Sequence, residues 1–88
     1  NHILNLQDLF IKEVKNTNFI IESDLEPIHR SNILIFSHKD KELNEKVQKD
    51  LEAKKIFIAL REGYLRLSAH LFNNEEEIVK LTHALKEY

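Results

Sequence analysis

At 88 residues, 42% apolar and 32% charged, the chain reads as one small soluble globular domain, long enough to bury only about 60–65% of its unfolded surface. A net charge of −2, with acids interleaved among the bases as in "KDKELNEKVQKDLEAKK", leaves no basic stripe for nucleic acid. The lack of cysteine excludes disulfides and thiolate chemistry, and no apolar run approaches the roughly 20 residues of a membrane span, so a cytoplasmic location is expected.

The chain begins at Asn1 rather than Met, which reads as a processed product, a designed piece or a fragment. Apolar residues at Ile3, Leu6, Leu9, Phe10 and Val14 recur at spacings of three and four, predicting a helix over 3–15. "KNTN" (15–18) breaks it with turn-formers, and "FII" (19–21) is short, apolar and partly β-branched, a strand. "ESDLEP" is a loop in which Pro27 holds Glu26 extended.

"NILIFS" (32–37) predicts a buried strand. Asp40 is placed to cap a helix whose Leu43, Val47 and Leu51 share one face. "IFIAL" (56–60) predicts the next strand. The sole glycine, Gly63, sits in the following turn, where positive φ carries no steric penalty, and "YLRLS" (64–68) returns antiparallel. Asn74 and Glu77 form a capping-box-like pair opening a final helix, with Glu75, Glu76 and Glu77 at its positive end and Ile78, Leu81, Thr82 and Leu85 on its buried face.

The expected fold is therefore α+β, a single domain over 1–88 in the order α-β-β-α-β-β-α, with a small, mainly antiparallel sheet and helices on one face.

One stretch, "IFIALREGYLRLSAHLFNNEEEIVKLTHAL", resembles the C-terminal end of class V aminotransferases, fold-type I enzymes that use pyridoxal 5′-phosphate. The family, which includes cysteine desulfurases and isopenicillin-epimerase-like proteins, closes on an Arg-x-Gly turn, an apolar-Arg-apolar-Ser strand and an aromatic-Asn pair opening an acidic helix. Here these are Arg61-Glu62-Gly63, Leu65-Arg66-Leu67-Ser68 and Phe72-Asn73 before Glu75–Glu77. "HRSNILIFS" (29–37) resembles the Arg-Ser-apolar strand that precedes the small-domain helix. The likeness covers residues 28–88 well and 1–27 loosely.

The resemblance implies that this is the small C-terminal domain of a longer enzyme, and that Arg66 pairs with the α-carboxylate of an amino acid substrate. A planar guanidinium can hold a carboxylate through two parallel hydrogen bonds, fixing orientation as well as charge. It implies pyridoxal phosphate in the full-length enzyme, a homodimer there, and as partners the domain's own large domain and the substrate. The cofactor's lysine, its pyridine-nitrogen aspartate and its phosphate-binding residues belong to that large domain and have no counterpart among these 88 residues, so the isolated chain is expected to be inactive and to hold no cofactor. The desulfurases carry a reactive cysteine just before the arginine-bearing strand. Here that connection is only "REG", which argues against a thiol-dependent desulfurase and favours an aminotransferase or another amino acid lyase.

An arginine on a strand more often faces solvent or bridges a carboxylate; the motif is what makes Arg66 a candidate. Arg61 reads as a solvated turn residue that can neighbour the same site. His2, His29, His38, His70 and His83 show no metal-ligand spacing, and His70 reads as packing or capping. Lys54 and Lys55 suit the negative end of a helix. The alternative from another class is a stand-alone βαββα interaction or small-ligand-binding module. A detached enzyme domain should expose apolar surface where its large domain packed, and Leu6, Leu9 and Phe10 are the expected surface.

Overall fold

The computed structural model describes residues 2–23 and 32–88; the expectations for Ile3's side chain, Glu26, Pro27, His29 and residues 28–31 lie outside what it describes. Helix α1 (His2–Val14) leads through a turn to β1 (Phe19–Ile21) and then β2 (Ile33–His38). A 3₁₀ turn (Lys41–Leu43) opens α2 (Asn44–Ala53). The hairpin β3 (Ala59–Arg61) and β4 (Tyr64–Ser68) follows, then a 3₁₀ turn (Ala69–Leu71) and α3 (Glu75–Leu85).

The strands form one four-stranded antiparallel sheet in the order β1-β2-β4-β3. Alternation along each strand sends Leu34, Phe36, Leu65 and Leu67 to one face, where they are buried. Leu6, Phe10 and Val14 of α1, Val47 and Leu51 of α2, and Ile78, Leu81, Ala84 and Leu85 of α3 close over that face in one cluster. The α+β class, the element order and the one-sided helix layer are as expected from the pattern.

Local chemistry accounts for the ends. Asn74 Oδ1 accepts from the Glu77 N–H at 3.1 Å, while the Glu77 carboxylate accepts from the Asn73 N–H, so the box closes one residue early. Asp40 Oδ1 accepts from the Glu42 N–H at 3.2 Å, capping the 3₁₀ turn rather than α2 itself. Helix α2 ends in a Schellman motif: Ile56 N–H reaches Leu51 O (2.9 Å) and Lys55 N–H reaches Glu52 O (2.9 Å). Lys55 takes the left-handed position at φ 63°, without a glycine there.

Three expectations change. The strand expected over 56–60 pairs only as Ala59–Arg61: the ladder stops at Ala59 opposite Arg66, although β4 continues through Leu67 and Ser68. Residues 56–58 still alternate, with Ile56 and Ile58 in the core and Phe57 outside. In α2 the buried positions are Asn44, Val47 and Leu51, with Leu43 only half-buried. The face of α1 expected to be uncovered is not: Leu6 and Phe10 are 1% and 0% exposed, and Leu9 packs on the same core. Among the described residues, Ile20, Phe57, Leu60, Leu71 and Val79 are the large apolar side chains at the surface.

Tyr88 ties α3's end back to α2 and the N-terminal turn. Its hydroxyl donates to Asp50 Oδ2 (2.6 Å), which also takes Lys46 Nζ at 2.7 Å, and its carbonyl accepts from Asn18 Nδ2 at 2.8 Å. Burial, reinforced by the Asp50 carboxylate, pushes the Tyr88 phenol up to about 12 from the usual 10. The folded state therefore keeps its proton while the unfolded chain loses it, so this contribution is intact below pH 10 and disappears as pH climbs from 10 towards 12. Tyr88→Phe is expected to lower stability by about 1 kcal/mol at neutral pH. The gap to wild type should narrow between pH 10 and 12, read as urea midpoints; parallel midpoints across that range would show that the hydroxyl is not held.

Candidate functional site

None of the described helices covers the other face of the sheet, and the second half of the strand alternation points there. From β4 this face takes Tyr64, Arg66 and Ser68, held outward because Leu65 and Leu67 are fully buried. β4 is an interior strand, so Arg66 lies in the middle of the sheet, opposite Ile35 on β2 and Ala59 on β3. Tyr64 lies opposite Arg61, and Ser68 opposite Ile33.

Arg61, Tyr64, Arg66, Ile35 and Glu62 line a shallow depression of ≈ 230 Å³. Arg66 is half-buried, and neither it nor Arg61 forms an ion pair with a described residue; the pairs there are Lys46–Asp50, Lys49–Glu45 and Lys54–Glu87. A charge beside apolar side chains such as Ile35 and Tyr64 is screened less than one in open water, so an anion arriving there is held more strongly.

The turn that shapes one end of the depression is two residues long, with Glu62 at φ 55° and Gly63 at φ 84°, the double positive φ of a type I′ hairpin. A Cβ at Gly63 would fall 2.7 Å from Lys41 Cε, the far end of a flexible side chain that can shift aside, so the demand for glycine here is chiefly conformational. Lys41 Nζ sits 4.0 Å from the centre of the Tyr64 ring, a cation–π contact. Behind the turn, buried Asn44 joins three neighbours: its Oδ1 accepts from the His38 N–H (2.9 Å), and its Nδ2 donates to Ser37 Oγ (2.8 Å) and to Gly63 O (2.8 Å). This amide fastens the hairpin to β2 and α2.

Sequence reasoning placed Arg66 on this strand and allowed Arg61 beside it, and the two do share one depression. Tyr64 was legible from the same alternation. Lys41 and Asn44 were not, since their partners lie 23 and 19 residues away in Tyr64 and Gly63. His70 is exposed on its 3₁₀ turn.

A larger groove of ≈ 440 Å³ runs along α3 beside Ile56, Val79 and Ala84, between Lys54, Lys80, Glu76 and Glu87. Its lining, which also includes His83, balances Lys54 and Lys80 against Glu76 and Glu87, whereas two arginines face one carboxylate around Arg66. Among the described residues no group of His, Asp and Glu is placed to hold a metal ion, and no helix is long and apolar enough to cross a membrane. The described lysines are all exposed. No protein-family model, curated protein or solved structure matches the chain.

Proposed function

We propose that this chain is the small C-terminal domain of a class V aminotransferase-like enzyme that uses pyridoxal 5′-phosphate, and that Arg66 receives the α-carboxylate of its amino acid substrate. The observation that carries the reading is Arg66 itself, half-buried and unpaired among the described residues, at the centre of a sheet face that no described helix covers. It stands on an interior strand, where neighbours on both sides hold the backbone still, and a bidentate carboxylate contact made there fixes the substrate's orientation. Ile35 and Tyr64 beside it reduce the water that competes for the same hydrogen bonds.

The cofactor, an electron sink when bound, is expected to be held outside these 88 residues. In this reading it belongs to a large domain facing the open side of the sheet, in a cytoplasmic homodimer. Arg66 then contributes binding and orientation, and the bond-breaking groups lie across the cleft.

A second reading is supported by the closed core. All three helices and the inner sheet face bury one another, so the domain needs no partner to complete its packing, as a stand-alone small-ligand-binding module requires. Sequencing the coding DNA upstream of the Asn1 codon separates the two. An in-frame large α/β domain with a cofactor lysine is expected; a start codon directly upstream overturns the enzyme reading. In the enzyme so found, Arg66→Ala should raise KM for the amino acid roughly 10–100-fold, the equivalent of one charge-assisted contact. An unchanged KM and kcat would remove Arg66 from the site.

A further inference from the structure

Two arginines, not one, line the same depression. We infer that the site takes a short dicarboxylate, Arg66 holding one carboxylate and Arg61 the other, so that Arg61 selects ligands bearing a second anionic group. The inference rests on the reading of Arg66 as a carboxylate receptor and adds the substrate class.

The register brings the two together. Ala59 pairs with Arg66 and Arg61 with Tyr64, so Arg61 and Arg66 are diagonal neighbours on adjacent strands, on the same open face. Such positions lie about 7–8 Å apart at the backbone, within reach of long side chains. Both guanidiniums therefore serve the same ≈ 230 Å³, which suits a small diacid and is below the size of a typical drug-sized pocket.

Charge points the same way. The chain carries a net −2, yet around Tyr64 stand three cations, Lys41, Arg61 and Arg66, against the single lining carboxylate of Glu62. Lys41 is engaged on the Tyr64 ring. Arg61 and Arg66 are left as two like charges without an acidic partner among the described residues, an arrangement that repels itself until an anion arrives. A monocarboxylate relieves one of them; a dicarboxylate relieves both. Neither position depends on a flexible loop: Arg61 closes β3 directly before a two-residue turn, and Asn44 anchors that turn through Gly63 O.

The test titrates the 88-residue chain with glutarate and with butyrate at matched ionic strength, following the arginine Nε–H signals by NMR. Glutarate is expected to shift both Arg61 and Arg66, and butyrate Arg66 alone, with glutarate bound about tenfold tighter, the scale of one added charged hydrogen-bonded contact. Arg61→Gln should reduce glutarate to the butyrate level and leave butyrate unchanged. Lys41→Gln, which deletes the same charge nearby, should have a much smaller effect. Equal affinities for the two ligands, or an Arg61→Gln effect no larger than that of Lys41→Gln, would overturn the dicarboxylate inference while leaving Arg66 in place. An Arg66 signal indifferent to both ligands would overturn the carboxylate-receptor reading itself.

Discussion

Asn44→Ala is expected to lower the stability of this domain by about 3–4 kcal/mol and its melting temperature by roughly 15–25 °C. The side chain is 1% exposed and makes three hydrogen bonds, to the His38 N–H, Ser37 Oγ and Gly63 O. Alanine removes all three and leaves a backbone donor and a backbone acceptor stranded, each worth about 1–3 kcal/mol when buried without a partner. Asn44→Asp should be as harmful for a different reason. It keeps an oxygen for His38 but turns a second oxygen, and a charge, towards the Gly63 carbonyl. Thermal unfolding by circular dichroism measures both. The hairpin should also loosen locally, so hydrogen exchange at the β3–β4 amides should accelerate beyond what the global loss explains. A melting temperature within 3 °C of wild type would mean that the amide does not hold the hairpin.

The second large effect is expected at Phe36. It lies on interior strand β2, fully buried, with its ring edge-on to Phe10 at 4.9 Å and tilted against Phe19 at 6.0 Å between centroids. Phe36→Ala should lower stability by about 3–5 kcal/mol, the sum of lost transfer free energy and an unfilled cavity. That loss is comparable with the whole stability of a small domain, about 5–15 kcal/mol, so the variant should be partly unfolded at 37 °C. Phe36→Leu, which keeps most of the volume, should lose about 1 kcal/mol. Urea titrations with unchanged slopes would give these differences directly. A loss below about 1 kcal/mol for the alanine variant would show that α1 and β1 collapse into the space.

What the chain's pattern revealed and what it concealed divides along a physical line. Features written within a few residues were legible. Asn74 and Glu77 cap a helix four residues away or less, Gly63 marks a turn needing positive φ, and alternation put Arg66 opposite in sense to Leu65 and Leu67. Features that depend on a distant partner were not. An apolar stripe looks alike whether its cover comes from the same chain or another, so Leu6 and Phe10 read as open surface although α3 and the sheet bury them. The segment 56–58 has the composition and alternation of a strand, yet pairing stops at Ala59 opposite Arg66, short of it. Lys55 and Glu62 take left-handed backbone without being glycine, so nothing in their identity announced the turns they make. Of the candidate site, Arg66, Arg61 and Tyr64 could be seen on one face of a hairpin. The lysine over the tyrosine and the amide beneath the turn required the tertiary fold.

The alternation that points Arg66 outward also protects it against misassembly. Sliding β4 by one residue against β2 would exchange the two faces of the strand, turning Arg66 inward and Leu65 and Leu67 into water. Re-exposing each leucine forfeits about 1.5–3 kcal/mol, and burying an unpaired guanidinium adds several kcal/mol more. That penalty rivals the entire free energy of folding, so a slipped sheet has no competitive population. The orientation of the arginine is thus proofread by two residues that never touch a ligand. The same guard reaches Arg61, since the tight turn ties its strand's register to that of β4.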